Sequence, residues 1–228
     1  MAIRIAFVGY DNDAVCAYLS DENAHDSADR ARYYADIVEQ LSEKADLTGV
    51  CSLTSDEPYM DSVGSKLRLA GIPKTAEDRI DEDAAIALLE RWGVNYLVLQ
   101  VVSRKMLAWA MRRNVRTLPV FSTDLNAKTA GGRFNLYLLG RLINKPRVPF
   151  IGVRSVATSE TFRKAGIKPE KIFPWDWPTE VDQQVHPSGD LALGHLIKRW
   201  IDSPRRPAQS IMRYSLAARD GAASKTAA

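Results

Sequence analysis

Apolar residues fall in short blocks, and most blocks are followed by a stretch in which they recur every three or four positions. Ile3-Arg-Ile-Ala-Phe-Val8 is the first block, ends at Gly9, and predicts a strand. Between Ser27 and Lys44, Tyr34, Ile37, Val38 and Leu41 recur at helical spacing, continuing to Ala45, so one helix face is buried. Leu47 to Leu53 is apolar at most positions, as expected of a parallel strand covered on both faces. Residues 54 to 81, punctuated by Pro58, Gly64, Gly71 and Pro73, predict a long, partly helical excursion. Asp81 or Asp83 then caps a helix over Ala85, Leu88, Leu89 and Trp92 that Gly93 stops, and Tyr96 to Val102 forms a strand. A basic helix from Arg104 to Arg113, a strand from Val115 to Phe121, a helix from Arg133 to Ile143 and a strand from Val148 to Val153 continue the alternation. Such alternation predicts an α/β domain with a parallel sheet and helices on both faces.

The segment from Ser155 to Pro178 is the most distinctive. Ser159 is placed to cap a short helix whose last turn carries Arg163 and Lys164, Gly166 closes it, and Pro169 prevents its continuation. Ile172 and Phe173 begin a strand cut short by Pro174. With the alternation before it, this ending resembles the close of the N-terminal, acceptor-side domain of a GT-B glycosyltransferase, in the manner of glycosyltransferase family 4. The resemblance spans roughly residues 3 to 178, about three quarters of the chain. It implies a Rossmann-like fold over residues 1–178 that holds a sugar or polyol acceptor while a second domain supplies an activated sugar from a nucleotide donor. Residues 179–203 read as a loop and an amphipathic helix, with Asp190 as its cap and Leu193, Leu196, Ile197 and Trp200 on one side, in place of a donor domain. Residues 204–228 read as a disordered tail. The expected function is therefore glycosyl transfer by a hexosyltransferase-like enzyme that is incomplete as a single chain. The alternatives are a non-catalytic binding module or truncated gene product and, on architecture alone, a receptor-like or flavin-binding doubly wound domain.

Strands in this arrangement deliver functional residues at their carboxyl ends. After the first strand, Tyr10, Asp11 and Asn12 are candidate acceptor-binding groups, and Asp and Asn also favour turns there. After the strand ending at Phe121, Thr123 and Asp124 correspond to a His-Asp pair in the resembled family. Thr123 departs from that pattern, because a hydroxyl cannot carry a proton near neutral pH as an imidazole does. Lys128, Arg133 and Arg154 are candidate anion-binding residues, with Gly131 and Gly132 opening the helix beside Arg133. No catalytic residue is assigned. Glu82 and Glu90 have the Glu-x7-Glu spacing of the family's donor site but lie on an amphipathic helix, roughly 80° apart, where a solvated face is expected. Trp175 and Trp177 are suited to stacking on a sugar or to packing at a domain seam.

The sequence contains neither a dinucleotide fingerprint nor a phosphate loop, and its three histidines show no ligand spacing, so no cofactor and no metal are expected. Two cysteines, Cys16 and Cys51, suggest a reducing cytoplasm. At 228 residues, with 46% hydrophobic and 26% charged residues, the chain suits one large soluble domain plus a tail. The net charge of +3 conceals a polarity. Residues 1 to 90 hold 8 basic and 19 acidic side chains, whereas 104 to 147 hold ten basic residues and one acidic residue, Asp124. That basic stretch suits phosphate groups or peripheral contact with an anionic inner-membrane face rather than nucleic acid. Met106, Leu107, Trp109 and Met111 among its charges are consistent with a membrane-surface helix, or with a surface helix burying Leu107, Ala110 and Met111. A donor-domain subunit or self-association is the expected protein partner.

Overall fold

The computed structural model describes residues 2–10, 12–20, 29–121, 130–153, 156–174 and 193–202. Its elements are β1 (Arg4–Gly9), α1 (Asp13–Ser20), α2 (Asp29–Lys44), β2 (Leu47–Ser55), β3 (Tyr59–Val63), β4 (Leu67–Pro73), α3 (Glu82–Trp92), β5 (Tyr96–Leu99), α4 (Arg104–Arg112), β6 (Arg116–Phe121), α5 (Ala130–Ile143), β7 (Ile151–Val153), α6 (Val156–Lys164), β8 (Ile172–Pro174) and α7 (Leu193–Asp202). The strands form one sheet in the order β3-β4-β2-β1-β5-β6-β7-β8. All neighbours pair in parallel except β3, an antiparallel edge strand on β4. The chain thus has a Rossmann-like α/β fold, wound outward in both directions from β1 and β5.

Strand alternation divides the core in two. Ala6, Val8, Cys51, Leu53, Leu97 and Leu99 face one layer, filled by Leu88, Leu89 and Trp92 of α3, Met106 and Trp109 of α4, Leu139 and Ile143 of α5 and Phe162 of α6. Ile5, Phe7, Val50, Val98, Leu118 and Val120 face the other, filled by Val15 and Leu19 of α1, Tyr34 and Val38 of α2, and Ile197 and Trp200 of α7. Each crossover from β4 to β8 contributes its helix to the first layer, and among the described residues Ile197 and Trp200 of α7 join the layer on the reverse side of β5 and β6. There the Arg116 guanidinium lies 5.2 Å from the Tyr96 ring centre and 5.8 Å from that of Trp200, and donates to the Trp200 carbonyl at 3.0 Å. Cation–π contacts of this kind hold an otherwise costly charge against apolar surface.

Three local expectations need correction. Residues 54 to 81 contain a hairpin, not a partly helical excursion: Gly64, at φ 61°, makes its turn, and β4 extends the parallel sheet beyond β2. Helix α1 follows β1 directly, where no helix was expected. Ser159 lies inside α6, which begins at Val156, and is not its N-cap. Other signals appear as read. The Asp81 side chain accepts from the Ala84 amide at the start of α3, Gly93 ends that helix in the left-handed region at φ 63°, and Gly166 follows α6 at φ 82°. Within α4, Met106, Leu107, Trp109 and Ala110 are buried while Met111 is half-buried. Residues 204–228, Asp190, Trp175 and Trp177 lie outside the described residues.

Candidate functional site

From β1 the chain winds through α1 and α2 to β2 on one side, and from β4 through α3 to β5 on the other. The carboxyl ends of β1 and β5 therefore border the crevice where open sheets of this kind bind ligands. Gly9 closes β1 there. A Cβ at that position would lie 2.4 Å from Gln100 Oε1 and 2.7 Å from Asn12 Oδ1, so glycine lets two amide side chains rest on the strand end. The Gln100 amide nitrogen donates to the Val8 carbonyl at 2.9 Å, which fixes the backbone from which this half-buried side chain extends. Asn12 is buried, and its Nδ2 donates to the Cys51 carbonyl at 3.0 Å, tying the loop after β1 to β2.

Tyr10 is half-buried at the same edge and packs against the first core layer. Burial, and secondarily the Glu82 carboxylate, push its phenol pKa up. Glu82, the first residue of α3, is half-buried. It also borders a cleft of about 990 Å³ between α4 and α5, together with Arg104, Lys105 and Asn135. Arg104 donates to Asn135 Oδ1 at 3.1 Å, and Lys105 pairs with Asp83 at 2.6 Å. Glu90 has a different role from its neighbour. It accepts from Trp109 Nε1 at 2.9 Å and Arg113 Nε at 2.8 Å, linking α3 to α4, and these bonds hold its pKa below the usual carboxylate range.

A second polar cluster lies beside β1. Asp13, the first residue of α1, accepts from Ser55 Oγ at 2.7 Å and Tyr59 Oη at 2.8 Å on one oxygen, and from Ser52 Oγ at 3.0 Å on the other. Ser52 Oγ also lies 3.1 Å from the Tyr10 carbonyl, which accepts from Thr54 Oγ1 as well. A carboxylate gathering three hydroxyl donors needs no cation beside it, because charge-assisted hydrogen bonds stabilise it. Gly71 makes room for this knot, since a Cβ there would come within 2.1 Å of Ser55 Oγ and 2.2 Å of the Tyr59 ring. Burial pushes the nearby thiols up, Cys16 to about 11 and Cys51 to about 12, and raises the Tyr59 phenol.

Of the residues singled out in the sequence, Tyr10 and Asn12 are at the crevice and Arg133 is exposed near the start of α5. Asp11, Thr123, Asp124, Lys128 and Arg154 lie outside the described residues. The structure adds Gln100, Glu82 and the Asp13 knot. The only sequence trace of that knot is the run of small hydroxylated residues, Ser52, Thr54 and Ser55, at the end of β2. Among the described residues no group of three or more His, Cys, Asp or Glu side chains is placed to hold a metal ion, and no helix is long and apolar enough to cross a membrane.

No protein-family model matches the chain, and no curated protein matches it in sequence. Among solved structures, HepE from Anabaena, in complex with UDP and glucose, overlaps 79% of this chain and 46% of its own at 12% identity and a TM-score of 0.42. The matched region is thus under half the length of that protein. The fold assignment made above stands on strand order and pairing.

Proposed function

We propose that this chain is the acceptor-side domain of a glycosyl-transfer system and holds a sugar or polyol in the crevice at the carboxyl ends of β1 and β5. One observation carries the reading: at the position where the sheet's winding reverses, the half-buried polar side chains include a phenol and an amide, from Tyr10 and Gln100, with the Glu82 carboxylate near enough to raise the phenol's pKa. Neutral donors and acceptors beside a carboxylate match the alternating hydroxyls of a carbohydrate, whereas a pyrophosphate would call for a glycine-rich loop at a helix start.

In this reading Glu82 accepts a hydrogen bond from the acceptor hydroxyl, and Tyr10 and Gln100 orient the ring. Asp11 follows Tyr10 in the same loop, and Thr123 and Asp124 follow closely on β6, so they are proposed for the same ligand. Lys128, Arg133 and Arg154 are proposed to neutralise a departing diphosphate, with the nucleotide sugar held by a separate domain or subunit. A binding role without chemistry is the second reading, favoured by Thr123 standing where the resembled family has an imidazole.

Saturation-transfer NMR with a panel of hexoses and polyols tests the binding step. Contact with at least one ligand is expected, weakened at least about tenfold in Glu82→Ala or Gln100→Ala, since each loses a hydrogen bond to ligand. No contact with any member of the panel would overturn the proposal. Labelled nucleotide sugars, supplied with a donor-domain protein, then separate the readings: label on the acceptor supports transfer, and binding without label supports the module.

A further inference from the structure

The structure places two large apolar side chains in solvent on α5: Phe134 is 60% exposed and Tyr137 is 52% exposed. They stand three residues apart, on one helix face. Arg141 continues that face one turn further on, and exposed Lys145 lies just past the helix end. On neighbouring α4, exposed Arg104 and Arg112 are eight residues apart, on the row that also carries Ala108. Between the helices runs the cleft of about 990 Å³, with half-buried Leu138 and Leu142 in its wall. Among the described residues, Arg112, Arg133, Arg141 and Lys145 make no ion pair.

The apolar residues of α4 that recommend it as a membrane helix in the sequence are consumed by the core. The side chains left for an outside partner belong to α5. Exposed aromatic rings ringed by unpaired cations are the composition of surfaces that sit at a lipid headgroup layer. Protein interfaces also take aromatic and arginine residues, but their centres are depleted of charge, whereas here basic side chains without ion pairs flank both rings.

We propose that the α4–α5 face docks on a lipid bilayer bearing net negative charge, with Phe134 and Tyr137 entering the headgroup region and Arg112, Arg141 and Lys145 facing lipid phosphates. The inference does not depend on the sugar-binding reading, because none of these contacts involves the crevice at β1 and β5.

Flotation of the full chain with phosphatidylcholine vesicles, with and without phosphatidylglycerol, tests it. Binding to the anionic vesicles alone is expected, falling as salt rises. Each basic residue near such a surface is worth about fivefold, so Arg141→Glu with Lys145→Glu should weaken binding at least about 25-fold. Phe134→Ser with Tyr137→Ser should weaken it while leaving its charge dependence. The charge-matched control Lys66→Glu with Arg79→Glu, on the other half of the molecule, should bind nearly as wild type, and thermal melts establish that all variants are folded. Four results would each overturn the proposal: no vesicle binding, equal binding to both vesicles, equal loss in the control, or stronger retention on duplex DNA than on vesicles. Concentration-dependent dimerisation abolished by Phe134→Ser, with vesicle binding intact, would overturn the role given to the aromatic pair.

Discussion

The two halves of the sheet treat their polar side chains in opposite ways. Around β1 to β4, Asp13, Ser52, Ser55 and Tyr59 satisfy one another, and the Tyr10 carbonyl takes the Thr54 hydroxyl. Around β5 to β8 the interior depends on apolar packing, such as Phe121 on Phe162 at 5.4 Å, while the charges of α4 and α5 point outward. The first half gains specificity from hydrogen bonds of fixed partners. The second ties Arg104, Lys105 and Arg113 to neighbours but leaves Arg112, Arg133, Arg141 and Lys145 without an ion pair among the described residues.

Substitutions that exchange one kind of support for the other probe this contrast. The largest effect is expected from Trp200→Ala, which empties a fully buried site on the reverse side of β5 and β6 and removes a face of the Arg116 stack. It should lower unfolding free energy by about 3–5 kcal/mol in urea titration; a loss below 1 kcal/mol would mean that α7 is dispensable. Asp13→Ala comes next, at about 2 kcal/mol, because the buried Ser55 hydroxyl and the Tyr59 phenol lose their acceptor while Ser52 keeps the Tyr10 carbonyl. The same variant should open the region to thiol reagents. In the native protein, Cys16, pushed up to about 11 from 9.0, holds about a hundredfold less thiolate at neutral pH than an ordinary thiol, so labelling should stay slow and accelerate as pH rises toward 11. Fast native labelling near pH 7 would contradict the closed packing. Tyr59→Phe removes one donor of three and should cost about 1 kcal/mol by the same titration. Phe134→Ala with Tyr137→Ala should change stability by less than about 0.5 kcal/mol, since both rings are in solvent. A markedly larger loss would mean that these rings pack within the fold.

What could be read from the sequence follows the range of the forces involved. Asp81 and Gly93 were legible because a cap and a left-handed stop act within one turn of helix. Paired strands such as β5 and β6 were legible because burial on both faces leaves a continuous apolar run. The β3–β4 hairpin was not, because Gly64 and Gly71 look like interruptions when seen in one dimension. The first makes the hairpin turn, and the second sits within a strand, opposite Tyr59, to leave space for its ring. The place of Tyr10 and Asn12 at the end of β1 was legible from the strand's apolar run, while the bond from Asn12 to the Cys51 carbonyl was not. Asp13 was not singled out, since its partners lie 39 to 46 residues away and no spacing rule connects them. Gln100 was hidden for a similar reason, as its significance comes from lying against Gly9 on a neighbouring strand.

The placement of α7 has a consequence for synthesis. Leu118, Val120, Phe150 and Phe173 belong to the layer that Ile197 and Trp200 complete, so a nascent chain can assemble every strand and still lack the last piece of cover. A chain that ends before residue 193 would leave part of that layer uncovered, the kind of apolar surface that chaperones recognise and that sticks to copies of itself.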